Sequence, residues 1–136
     1  MRGNERDQDA RWVAEAVDLA LKNVTAGGGP FGALIVRDGT LLATGVNAVT
    51  TTNDPTAHAE VVAIRTACRT IGDFRLTGCV VVTSCEPCPL CLAAALWARV
   101  ERVIYGADRH DAARGASMTL RSTICSRPRA RSGRWR

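Results

Sequence analysis

Two short segments carry the residue types that could do chemistry: His58-Ala59-Glu60, and Pro87-Cys88-Pro89-Leu90-Cys91. Together they offer one imidazole, two thiols that can ionise and one carboxylate free to move protons. A catalytic zinc site holds its metal with three protein ligands and keeps the fourth position open for water. His58, Cys88 and Cys91 supply that donor set for one Zn2+, and Glu60 is the base beside the open position. A structural site would close its tetrahedron with a fourth ligand. The chain has six cysteines but no second, non-overlapping Cys-x-x-Cys (Cys85-Glu86-Pro87-Cys88 shares Cys88 with the first), and its other histidine is His110. Alone, Cys88 and Cys91 would equally suit a redox pair or two buried thiols. The offset of His58 and Glu60, which open an apolar helical run, favours the catalytic reading.

The elements that must hold these groups are legible in the periodicity. Trp12, Val13, Ala16, Val17, Ala20 and Leu21 recur at helical spacing and predict an amphipathic helix from Asp9 to Val24. Gly27-Gly28-Gly29-Pro30 ends it; the run lacks the Lys-Ser/Thr of a phosphate loop and reads as a turn. Phe31 to Arg37 and Leu41 to Val46 read as strands of a hairpin about Asp38-Gly39. Asn53-Asp54-Pro55-Thr56 leads into a second helix, Ala57 to Thr70, with His58 and Glu60 in its first turn. Cys79 to Thr83 is a short apolar run of the buried-strand kind. A third helix follows from Cys88 to Arg99, placing Cys88 and Cys91 on one side at i and i+3. Val100 to Tyr105 is a further strand. The alternation predicts a three-layer α/β/α domain with a mixed central sheet. Both ligand groups then fall at helix N-termini, where unsatisfied N–H groups and the helix dipole favour thiolates.

The chain has 136 residues, 46% of them hydrophobic, enough for one domain with a real core. No run approaches the ~20 apolar residues of a membrane span, and Met1-Arg2-Gly3-Asn4-Glu5-Arg6-Asp7 lacks the apolar heart of a signal peptide. These features, with cysteines in a reduced state, point to the cytoplasm. Cys68 and Cys79 lie in apolar runs and read as core; Cys85 could lie near the metal. The net charge of +5 is not spread over the chain: twelve Lys/Arg face thirteen Asp/Glu in residues 1–115. The excess belongs to six arginines between Arg121 and Arg136, among which there is no acid. The near-neutral body argues against a nucleic-acid partner.

Asn53 to Val61 and Thr83 to Cys91 resemble the zinc motifs of the cytidine-deaminase superfamily, whose zinc deaminases share a His-x-Glu and Pro-Cys-x-x-Cys signature. Pro30-Phe31-Gly32-Ala33, the Thr83-to-Pro89 string, Trp97-Ala98-Arg99 and Asp111-Ala112-Ala113 are similar to bacterial guanine deaminases. The likeness runs from about Trp12 to Gly115. It implies a cytidine-deaminase-like fold, a homodimer, and a small purine base as substrate. It further implies Asn47, the Ala59 backbone and Asp111 as substrate contacts, with Trp97 near the pocket. The plainer alternatives are a strand-end Asn making a turn, a solvated loop acid at position 111, and a core Trp.

After Gly115 the likeness stops, dividing a deaminase domain at 1–115 from an Arg-rich tail at 116–136. Members of this family continue with a Gly-Phe-Asp-Asp-type segment and elements that close the pocket, commonly exchanged between subunits. Here an Arg/Ser/Pro-rich run with little helical or strand period follows and reads as disordered. A frameshift would produce such a break, because codons for Gly115 to Thr123 exist whose neighbouring frame reads as a family-like continuation.

The reaction implied is guanine plus water to xanthine plus ammonia. A tRNA adenosine deaminase shares the zinc site and the Asn and stands as the enzymatic alternative. A zinc-folded binding module would have no use for Glu60, and a zinc-loaded but inactive deaminase paralogue would follow if the tail left the pocket open.

Overall fold

The computed structural model describes residues 2–107 and 132–134. The chain runs α1 (Arg2–Thr25), β1 (Gly32–Arg37), β2 (Thr40–Val46), α2 (Val49–Thr52), α3 (Ala59–Ile71), β3 (Cys79–Cys85), α4 (Pro89–Trp97), β4 (Arg102–Ala107) and β5 (Ser132–Arg134). The strands form one sheet in the order β2-β1-β3-β4-β5. β1 is antiparallel to both β2 and β3, β3 is parallel to β4, and β5 is antiparallel to β4. The expected α/β fold with a mixed sheet is what forms, and α4 is the crossover that parallel β3 and β4 require.

Alternation along the central strands divides the core into two layers. Ala33 and Ile35 of β1, Val81 of β3 and Val103 of β4 face Ala59, Ala63 and Ala67 of α3 and Ala95 of α4. Leu34 and Val36, Val82 and Ile104 face the other way, against Ala16 of α1. Both faces of β1 and β3 are therefore covered, which is why those strands read as continuous apolar runs.

Small residues set the spacing between layers. A β-carbon on Gly32 would overlap the Ala16 carbonyl of α1 and come 2.9 Å from the Ala20 nitrogen. This close seat turns the wider apolar stripe of α1 partly outward. Val17 and Leu21, expected to face the core, are exposed. An Arg102 guanidinium on β4 fastens the far end of α1 through both Asp9 oxygens, at 2.7 and 2.8 Å. It also lies 3.5 Å from Glu5, so α1 begins well before the Asp9 start that periodicity predicts.

The hairpin forms as expected: Asp38 and Gly39 both take positive φ, 51° and 73°, matching a type I′ turn. The short α2 was not predicted. Ser132–Arg134 forms a strand on β4, where sequence pattern indicates neither helix nor strand; sheet pairing supplies order that local periodicity does not encode.

Candidate active site

His58 and Cys88 are the N-caps of α3 and α4, and neither uses its side chain to cap its own helix. On the α3 side, the entry is built by Asp54, whose Oδ1 accepts the Thr56 N–H at 2.9 Å and its hydroxyl at 2.7 Å. The Ala48 N–H then donates to the Ala57 carbonyl at 2.9 Å, pinning the residue before His58 to the end of β2. On the α4 side, Pro89 starts the helix, with its fixed φ and missing N–H suited to that position. The buried Thr83 hydroxyl donates to the Cys85 carbonyl, and the Glu86 N–H donates to Ala107 at 2.7 Å. Those bonds turn the chain from β3 toward Cys88.

The result is a compact triangle. His58 Nδ1 lies 3.4 Å from each of the Cys88 and Cys91 sulfurs, which are 3.5 Å apart. Tetrahedral zinc with ordinary Zn–S and Zn–N lengths needs ligand separations of about 3.5–3.8 Å. The donors present therefore fit the metal to within a few tenths of an ångström, and among the described residues they are the three that could share one ion. Cys85 is buried but stands outside this set, and Cys79 is core as expected.

Glu60 completes the group. Its Oε2 accepts from the Cys91 thiol at 3.0 Å, and its side chain is buried. Burial pushes its carboxyl above the usual range, opposed by the Cys91 hydrogen bond and by its own backbone N–H. Hydrogen bonds from Cys91 and the His58 ring lower the Cys88 thiol to about 4. Cys91 moves the other way, because Cys88 accepts its proton and burial adds to the effect. The hydrogen bond with Cys88 raises the His58 imidazole. A Cys88 thiol of lowered pKa thus stands beside a Cys91 thiol that donates to Glu60.

Of the other predicted contacts, Ala59 is fully buried at the first turn of α3. Asn47 directly follows β2, and its Oδ1 accepts the Val49 N–H at 3.2 Å, a turn-forming bond. Trp97 is the last residue of α4, at the opposite end from Cys88, and at 76% exposed it is not core. Asp111 lies outside the described residues. Sequence reasoning missed Thr83 and Ser84, the latter accepting the Gly32 N–H at 3.1 Å. Two hydroxyls ending an otherwise apolar strand were the available signal.

Residues 6–107 match the family described as the cytidine and deoxycytidylate deaminase zinc-binding region, and the chain belongs to that family. It is 57% identical over 103 residues to guanine deaminase of Bacillus subtilis, covering 75% of this chain and 66% of that protein. The crystal structure of guanine deaminase from Bacillus subtilis superposes with a TM-score of 0.75 at 54% identity, over 79% of this chain and 69% of that one. Likeness to the tRNA-specific adenosine deaminase of the same organism is lower, 37% over 117 residues, covering 86% of this chain and 71% of that protein.

Proposed function

We propose that this chain is a zinc-dependent hydrolytic deaminase whose substrate is guanine, converted with water to xanthine and ammonia. The observation that carries it is the His58–Cys88–Cys91 triangle with the Glu60 carboxylate against it. The higher identity to a guanine deaminase than to a tRNA adenosine deaminase favours the free base over RNA.

His58, Cys88 and Cys91 would hold the zinc, which supplies an acidified water at neutral pH. Glu60 takes one proton from that water as the water oxygen bonds to the purine carbon bearing the amine, and passes that proton to the adjacent ring nitrogen. It then takes the second proton from the added hydroxyl and gives it to the amine, which leaves as ammonia when the C–N bond breaks. A buried carboxyl with a raised pKa suits both halves of this exchange. Ala59, through its backbone, and Asn47 contact the base edge, and Asp111 is the proposed acidic contact for its N–H groups.

A homodimer is part of this reading. Leu90, Leu96 and Trp97 leave an exposed apolar side on α4 that a second copy would cover. No disulfide joins the described cysteines, which suits the reducing cytoplasm. Among the described residues no helix is long and apolar enough to cross a membrane.

Ammonia release by the zinc-loaded protein, offered guanine, adenine, cytosine and cytidine, tests the substrate. Guanine turnover supports the reading, and turnover of another base alone replaces it. Glu60→Ala is expected to keep zinc and lose turnover; an active variant removes Glu60 from the mechanism.

A further inference from the structure

We infer that Asn23, together with the glycine run that follows it, is a positioning residue that sets the orientation of the Asn47 amide. This rests on the reading of Asn47 as a purine contact and extends it to the mode of contact. Asn23 stands near the end of α1, and its Nδ2 donates twice, to the main-chain carbonyls of Gly29 at 2.8 Å and of Asn47 at 3.0 Å, fixing the backbone from which the Asn47 amide projects. Both partners are carbonyl oxygens, so the amide can face them only with its NH2 end. One side chain thereby ties the glycine loop to a residue 24 positions further along the chain.

The loop is shaped to allow this. A β-carbon on Gly28 would stand 2.7 Å from Asn23 Cγ, and one on Gly29 would stand 3.2 Å from Asn47 Cγ. Gly29 is therefore a wall against the Asn47 side chain. The opposite end of that side chain is held by the Val49 N–H on Oδ1. With its oxygen committed, Asn47 offers Nδ2, a donor, to a ligand. The ligand atom it selects is an acceptor, such as a purine ring nitrogen or carbonyl oxygen. The next residue, Ala48, bonds to Ala57 directly before His58, so the clamp and the metal triangle share one short piece of backbone. The glycine run, a turn by sequence, thus becomes the outer wall of the substrate side.

Kinetics of Asn23→Ala and Asn23→Asp test this. The Asp variant keeps the size but presents oxygens to two carbonyls. Both are expected to raise KM for guanine about three- to tenfold, the worth of one misaligned hydrogen bond, with kcat and zinc content kept. Asn23→Ala added to Asn47→Ala is expected to raise KM no further. An additive effect, or an unchanged KM in folded zinc-loaded protein, overturns the proposal. Should the Asn23 variants fail to fold, Gly29→Ala leaves Asn23 in place and must raise KM by pressing on Asn47; an unchanged KM there overturns it equally. If the wild-type chain turns over no guanine, the substrate reading fails separately. The positioning is then read from the Asn47 side-chain NH2 resonances, which must shift in Asn23→Asp; unmoved resonances sink it.

Discussion

Gly45 of β2 lies so close to Ala59 of α3 that a β-carbon there would overlap the Ala59 carbonyl oxygen and stand 2.5 Å from the Ala63 nitrogen. The absent side chain is what lets the first turn of α3, with His58 and Glu60, seat against the sheet. The obstacle is backbone on both counts, so no rotamer change relieves it.

Gly45→Ala is accordingly expected to displace the start of α3. Overpacking of this kind costs about 1–3 kcal/mol, and the visible spectrum of the cobalt-substituted protein should change as the ligand triangle distorts. A variant with wild-type denaturation midpoint and spectrum would show that α3 tolerates the shift.

Metal binding should release protons. Cys91 donates its thiol proton to Glu60 Oε2, and a zinc-bound cysteine is a thiolate. Calorimetric zinc titration in buffers of differing ionisation enthalpy is expected to report at least one proton lost per metal at neutral pH. Affinity should weaken as pH falls. Proton-neutral binding contradicts the assigned ionisation of Cys91.

Glu60 gives the metal-free protein a pH-dependent stability of definite sign. Burial raises its folded-state pKa above the ordinary 4.5. Its contribution is therefore fully present below about that value and is lost as pH rises through the folded pKa. Chelated protein should lose stability on going from acid toward neutral pH, and Glu60→Gln should flatten that dependence. Parallel urea midpoints for the two proteins across this range decide it.

Arg102→Leu should loosen α1 without touching the chemistry. The Arg102 side chain is 15% exposed and that of Asp9 26%, so the pair lies between a surface ion pair and a buried one. A loss of about 1–3 kcal/mol is expected, with kcat unchanged. A raised KM with kcat kept would mean that loosening α1 reaches the substrate side through the Asn23 clamp, and a fall in kcat would contradict the separation of α1 from the chemistry.

The chemistry was legible because its signals are local. His58 and Glu60 lie two apart, Cys88 and Cys91 lie three apart, and each pair opens a helix. The Asp38-Gly39 turn is likewise a short-range feature. What escaped depends on contacts remote in sequence. Asn23 acts on Asn47, and Gly45 is defined by Ala59. Trp97 is exposed although its size favours burial, because α4 seats on the core through Cys91 and Ala95 and leaves its other side outward. The Ser132–Arg134 strand exists only by pairing with β4.

His58 and Cys88 are thirty residues apart and meet at the open ends of two helices. In chain-entropy terms, one ion held by both is a cross-link closing that loop, and a tie of this length restricts the unfolded chain by roughly 3–4 kcal/mol. The chain would thus gain from its metal site the stapling that secreted domains gain from disulfides. Metal scarcity would then not leave an idle but intact enzyme. The first turns of α3 and α4 would fray together, and loss of turnover and exposure to proteolysis would arrive as a single event.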